Sequence, residues 1–163
     1  MGKRVILILM IIQFGNHLLS QSSKIETFDL RKNSVYLEFG DVQDLFSFSV
    51  KYDRTFGLGS RQIHSLGLRA GLMLGQWYVG GNVFSIPVEG YYLVGKRLCF
   101  ETGFTYAYCF GSPDFYAFGA RVGLRWRDST GILVGLAFTP TFANDGIESF
   151  LVRTYGISLG YSF

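Results

Sequence analysis

At 163 residues the chain is one domain's worth, and 48% of it is hydrophobic. Charged residues reach only 17%, against roughly 25% in ordinary globular domains, while aromatics make up 17% and glycines number 21. The net charge of +3, falling to +1 once Lys3 and Arg4 leave with an N-terminal segment, offers no basic surface of the kind a nucleic-acid partner needs.

MGKRVILILMIIQFGNHLLSQ opens on Lys3 and Arg4 and runs apolar from Val5 to Ile12 and on to Phe14. It ends with Leu18 and Ser20 spaced as the minus-three and minus-one residues of a cleavage site. Residues 1–20 read as a secretory signal peptide cut after Ser20, because the apolar run falls well short of the roughly 20 residues a spanning helix needs. The stretch from Ser22 to Asn33, SSKIETFDLRKN, is polar and has no period, so residues 21–33 read as a periplasmic leader.

From Ser34 to Phe163 the period is two. VYLEFG sets Val35, Leu37 and Phe39 on one face with Tyr36 and Glu38 on the other, and FSFSVKYDRTF sets Phe46, Phe48, Val50 and Tyr52 against Ser47, Ser49, Lys51 and Asp53. SLGLRAGLML, FSIPVEGYYLV, LCFETGFTYAY, YAFGARVGLRW, ILVGLAFT and TYGISLGYSF repeat the rule, giving eight strand-like segments. Alternation alone also suits a soluble barrel, so the second face decides. Here it is Gly, Ser, Ala and a few charges, where a water-facing surface would carry Lys, Glu, Thr and Asn. Small residues inside and large ones outside are what a barrel shows when its solvent is hydrocarbon. The expectation is therefore all-β: an eight-stranded antiparallel transmembrane barrel following a cleaved signal peptide, located in the outer membrane.

With both chain ends in the periplasm, the inward connections are GLGSRQIH (Gly57–His64), GKR (Gly95–Arg97) and RDSTG (Arg127–Gly131). The outward ones are Asp41–Asp44, Gly75–Val83, Cys109–Asp114 and Thr141–Arg153, the last being the longest. Pro87 inside the fourth segment is expected to be absorbed by a bulge.

The last strand carries Tyr155, Ile157, Leu159, Tyr161 and Phe163 in alternation. That is the pattern of a C-terminal strand read by the outer-membrane barrel assembly machinery, an expected partner beside the membrane lipids. VYLEFG, SVKYDRTF, LGLRAGL, the IPV of the fourth segment, ETGFTY, GLAFTP and GISLGYSF together resemble a family of small outer-membrane β-barrel proteins of Gram-negative bacteria, most without assigned activity. The resemblance covers Asn33 to Phe163, with KYDR at Lys51–Arg54 and the C-terminal strand its most specific parts. It implies the barrel and its location and brings no catalytic residues.

Chemical readings of single residues fare poorly. A lipid-acting barrel enzyme needs His, Ser and an acid at the outward rim, whereas His64 falls in an inward turn. One His and two Cys have no metal-ligand spacing. Cys99 and Cys109 lie near opposite ends of one strand, about 30 Å apart at roughly 3.3 Å per residue, too far for a disulfide. Trp77, Tyr78, Tyr106, Tyr108, Tyr116 and Trp126 read as an interfacial girdle. Neither enzymatic activity nor a cofactor is expected, and the barrel is expected to be monomeric.

The charges on the small-residue face form the remaining constellation: Glu38, Lys51, Asp53, Arg69, Glu89, Glu101, Arg121 and Arg125. Four acids against four bases predict mutual pairing in an interior only wide enough for side chains. Counting from the strand ends predicts Glu38 with Lys51, Arg69 with Glu89, and Glu101 with Arg121. The expected function is structural or surface-interacting, with a lumen closed by these pairs; the alternatives are a lipid-acting enzyme and a narrow channel.

Overall fold

The computed structural model describes residues 31–42, 45–58, 63–77, 81–111, 114–144 and 149–163. The expected signal peptide and the expected leader up to residue 30 lie outside the described residues. Eight strands follow in chain order: β1 Asn33–Val42, β2 Leu45–Leu58, β3 His64–Trp77, β4 Gly81–Gly95, β5 Leu98–Phe110, β6 Phe115–Arg127, β7 Ile132–Asn144 and β8 Ser149–Ser162. Each pairs antiparallel with the next and β8 returns to β1, so the barrel is closed and no strand edge is left open.

The two-residue period becomes an inside-out protein. Leu68 is 63% exposed and Phe104 77%, while Asp53 and Arg69 on the inner face are 0% and 2% exposed. Such a surface is stable only where hydrocarbon surrounds it. Strands are longer than the alternation suggests, and the connections correspondingly short. β7 runs to Asn144 and β8 starts at Ser149, leaving 145–148 where a connection across Thr141–Arg153 is expected. The reason is that pairs such as Phe142 with Leu151 carry the ladder past Pro140. β2 likewise reaches Leu58, so the second connection is 59–63.

Pro87 causes no bulge. The β3–β4 ladder stops after Ala70–Val88 and resumes at Met73–Ser85 without changing register, so the missing amide removes rungs and adds no residue.

Inside, glycines make room for rings. A Cβ at Gly67 would lie 2.1 Å from Cζ of Tyr91, whose ring covers that glycine, whereas a Cβ at Gly75 would meet only Ser47 Cβ at 3.6 Å. Gly67→Val is expected to destabilise the barrel by roughly 1 to 3 kcal/mol through overpacking. Gly75→Ala should be nearly silent, both read from the temperature at which the fast-migrating folded band disappears on a gel.

The seam closes the ladder between the two ends of the fold. Asn33 and Phe163 exchange backbone hydrogen bonds of 3.1 and 2.8 Å. Just before them Arg31 donates to the carbonyls of Ser129, Thr130 and Ser162 at 3.0, 2.8 and 2.8 Å and to Tyr161 Oη at 3.2 Å. Arg31 is thus bound at the mouth where β1 begins and β8 ends.

Candidate functional site

The eight charges singled out in the sequence all point into the lumen, and each residue is no more than 8% exposed. β1 to β6 supply them at neighbouring levels because the strands are tilted and staggered. The three expected pairs form: Lys51 Nζ to Glu38 at 2.7 Å, Arg69 to Glu89 at 2.6 Å, and Arg121 Nε to Glu101 at 2.8 Å.

The pairs are fused into one network, which pair counting does not show. Lys51 also reaches Glu89 at 2.7 Å, Arg69 also reaches Glu101 at 2.9 Å, and Arg121 also holds Glu38. Arg125 joins Asp53 at 2.8 Å and Glu101 by a short contact, and Asp53 lies 3.6 Å from Arg69. Every acid therefore faces at least two bases, the condition under which buried ions are tolerated.

Two aromatic residues lie within this network and belong to it. Arg69 is stacked between Tyr36 and Tyr91, with centroid distances of 5.2 and 4.5 Å, and Arg125 lies 4.8 Å from the Tyr91 ring. Tyr91 Oη is hydrogen-bonded with Thr55 Oγ1 at 2.9 Å. Arg127 is a further lumen charge. The sequence reading puts it in a turn, but β6 continues through it and its side chain is 2% exposed. Its parity with Arg121 and Arg125 was the available signal. Leu93 and Leu133, each 1% exposed, fill the same terminal end of the lumen.

Toward the far mouth the network is the floor of a void of about 90 Å³ between Met73, Val83, Thr105, Ala107 and Thr139. That is room for about three waters.

The other candidate residues are dispersed. His64 opens β3 at the terminal end, exposed, with Nδ1 2.7 Å from Tyr92 Oη and the rings stacked. Cys99 and Cys109 are free thiols at opposite ends of β5. Among the described residues no cluster of His, Cys, Asp or Glu is arranged to hold a metal. Tyr106, Tyr108 and Tyr116 form a contiguous ring cluster with Phe110 near the far mouth; Trp126 lies near the other end of β6. Trp77 ends β3, and Tyr78 lies outside the described residues. Tyr155, Ile157, Leu159, Tyr161 and Phe163 face outward, each 51 to 59% exposed.

Outside the spanning strands two carboxyls are held below the usual range. Asp114 accepts from the Gly111 amide and from Tyr108 Oη, and Asp128 accepts from Thr130 Oγ1 and the Ser129 amide. Each depressed carboxyl favours the fold above its unfolded range, and that contribution fades as pH falls through its folded range.

Solved structures share the fold. The outer membrane enzyme PagL matches with a TM-score of 0.64 and 14% identity, over 80% of this chain and 99% of that one. A de novo designed transmembrane β-barrel matches at 0.54 and 14%, over 83% and 98%. Ail, the attachment invasion locus protein of Yersinia pestis, matches at 0.50 and 10%, over 82% of this chain and 100% of that one. No known family and no curated protein sequence matches the chain. The PagL match corrects the sequence expectation of a barrel without enzymatic activity, since an enzyme is built on this fold. That expectation rests on the place of His64 and on a filled lumen, and neither decides what groups at a rim can do. The chain is a small eight-stranded barrel with the fold of outer-membrane barrels, its large apolar side chains turned outward.

Proposed function

We propose that the chain acts as a sealed outer-membrane barrel, exercising its role through its outer surface and far mouth. The observation that carries this reading is the fused network of eight lumen charges, each paired and each at most 8% exposed. A barrel of eight strands has an interior that side chains fill, and a pairing network across that interior leaves an ion no continuous water path. In this reading the exterior meets membrane lipid as a monomer, and the alternating apolar face of β8 is the element that the barrel assembly machinery engages during insertion.

Planar-bilayer recording of the purified barrel tests the seal. Lasting conductance steps are expected to be absent from the parent and to appear when Glu38→Ala and Lys51→Ala together shorten the floor of the far-mouth void. Stable open steps in the parent would overturn the closed-lumen reading.

A further inference from the structure

A trough crosses the outer face of the barrel, and its walls follow from the register. Ile157, Leu136 and Leu124 stand level on β8, β7 and β6, with Phe39 and Phe100 continuing the row onto β1 and β5. Tyr155, Phe138 and Val122 form the next row, two residues nearer the far mouth, or about 7 Å away. Between the rows the chain turns its side chains to the lumen, and there they are small: Gly156, Ala137 and Gly123. The trough floor is therefore bare backbone. It is an open, shallow groove of about 600 Å³, and no charged residue lines it.

The trough is oblique. Phe100 is the third residue of β5 from the terminal end and Phe39 the seventh of β1, so the lower row climbs toward the far mouth. The rings of Phe138 and Tyr155, 5.0 Å apart, make a lip on its upper side. Arg153 lies two residues beyond Tyr155 on the same face of β8 and is exposed. With the chain ends expected in the periplasm, Arg153 lies on the outer-leaflet side of the trough.

We propose that this trough seats an acyl chain of a phosphate-bearing lipid of the outer leaflet, with Arg153 facing the phosphate. Hydrocarbon surrounds this wall, so an apolar filler is required, and a narrow apolar channel between two ridges matches the shape of a single chain. Arg153 supplies the charge complementary to a phosphate. Arg153 therefore orients the headgroup, and the trough selects the chain by packing and shape, since no apolar surface leaves water here.

Native mass spectrometry of the whole barrel in nonionic detergent, titrated with dioleoyl phosphatidylglycerol, tests this. One lipid is expected to be retained saturably. Leu136→Trp fills the trough and should weaken retention by about tenfold, since it removes the packing contacts of several methylenes. Leu68→Trp adds the same ring to β3 and should leave retention unchanged. Arg153→Gln, outside the trough, should weaken phosphatidylglycerol retention several-fold and leave dioleoylglycerol, which has no phosphate, unaltered. Val122→Phe is a milder filling variant that must act in the same direction as Leu136→Trp, including where the latter refolds poorly. Equal retention by parent and both filling variants would mean nonspecific lipid only and would overturn the proposal. So would a dimer that forms without lipid and is lost on filling, because the trough would then seat a second copy. The sealed lumen is read separately by conductance, so failure of one leaves the other standing.

Discussion

Arg69→Met is expected to destabilise the refolded barrel by something like 3 to 5 kcal/mol, and Glu89→Gln by a similar amount, while the double change loses clearly less than their sum. Arg69 faces Glu89 at 2.6 Å, Glu101 at 2.9 Å and Asp53 at 3.6 Å, all buried. Its removal leaves three buried carboxylates short of a base. Glu89 in turn serves Lys51 at 2.7 Å and Arg121 at 3.6 Å, so its loss alone leaves cations in excess. Removing both restores the balance of charge. The folded band's disappearance temperature, followed for parent, singles and double, measures the coupling. Additive losses would show that the two side chains act independently, contrary to the geometry.

A charge on the outer wall should be costly in proportion to its depth. Val122→Arg is expected to destabilise the barrel in lipid by roughly 2 to 4 kcal/mol, because Val122 lies midway along β6 and is level with Phe138 on β7. Leu68→Arg should cost less. Its neighbour in the β2–β3 ladder is Arg54, an exposed residue whose guanidinium lies 5.6 Å from the Phe56 ring, so a cation already occupies that level. Denaturant unfolding in lipid vesicles gives both values. Equal tolerance of the two substitutions would mean that the wall does not span a hydrocarbon core.

Much of the fold was legible because a strand's two faces are set by parity, and parity survives any error in where a strand stops. Glu38, Arg69 and Glu89 needed only that rule to be placed inside. The pairs followed from counting along tilted strands, an argument tolerant of a residue of stagger. Stopping points were harder. The sequence reading stops the seventh segment at Thr139, before Pro140, and only the ladder to β8 shows that pairing runs through the proline. The same error hid Arg127 by assigning it to a turn. The stacking of Arg69 between Tyr36 and Tyr91 was beyond the sequence for another reason: it joins β1, β3 and β4 across the lumen, and which ring reaches which cation depends on barrel diameter and on the bare surface at Gly67.

The Arg31 contacts bear on time rather than on shape. β1 and β8 are the strands farthest apart along the chain, and their pairing is the last rung that a sequentially built sheet can close. Arg31 binds the 129–131 turn and the Ser162 carbonyl together, so its bonds exist only once both are in place. Interactions absent from the folding barrier slow opening and leave the speed of closing nearly unchanged, and Arg31→Ala is expected to show that pattern. The residue thus acts as a latch on the seam, lengthening the lifetime of a barrel already inserted.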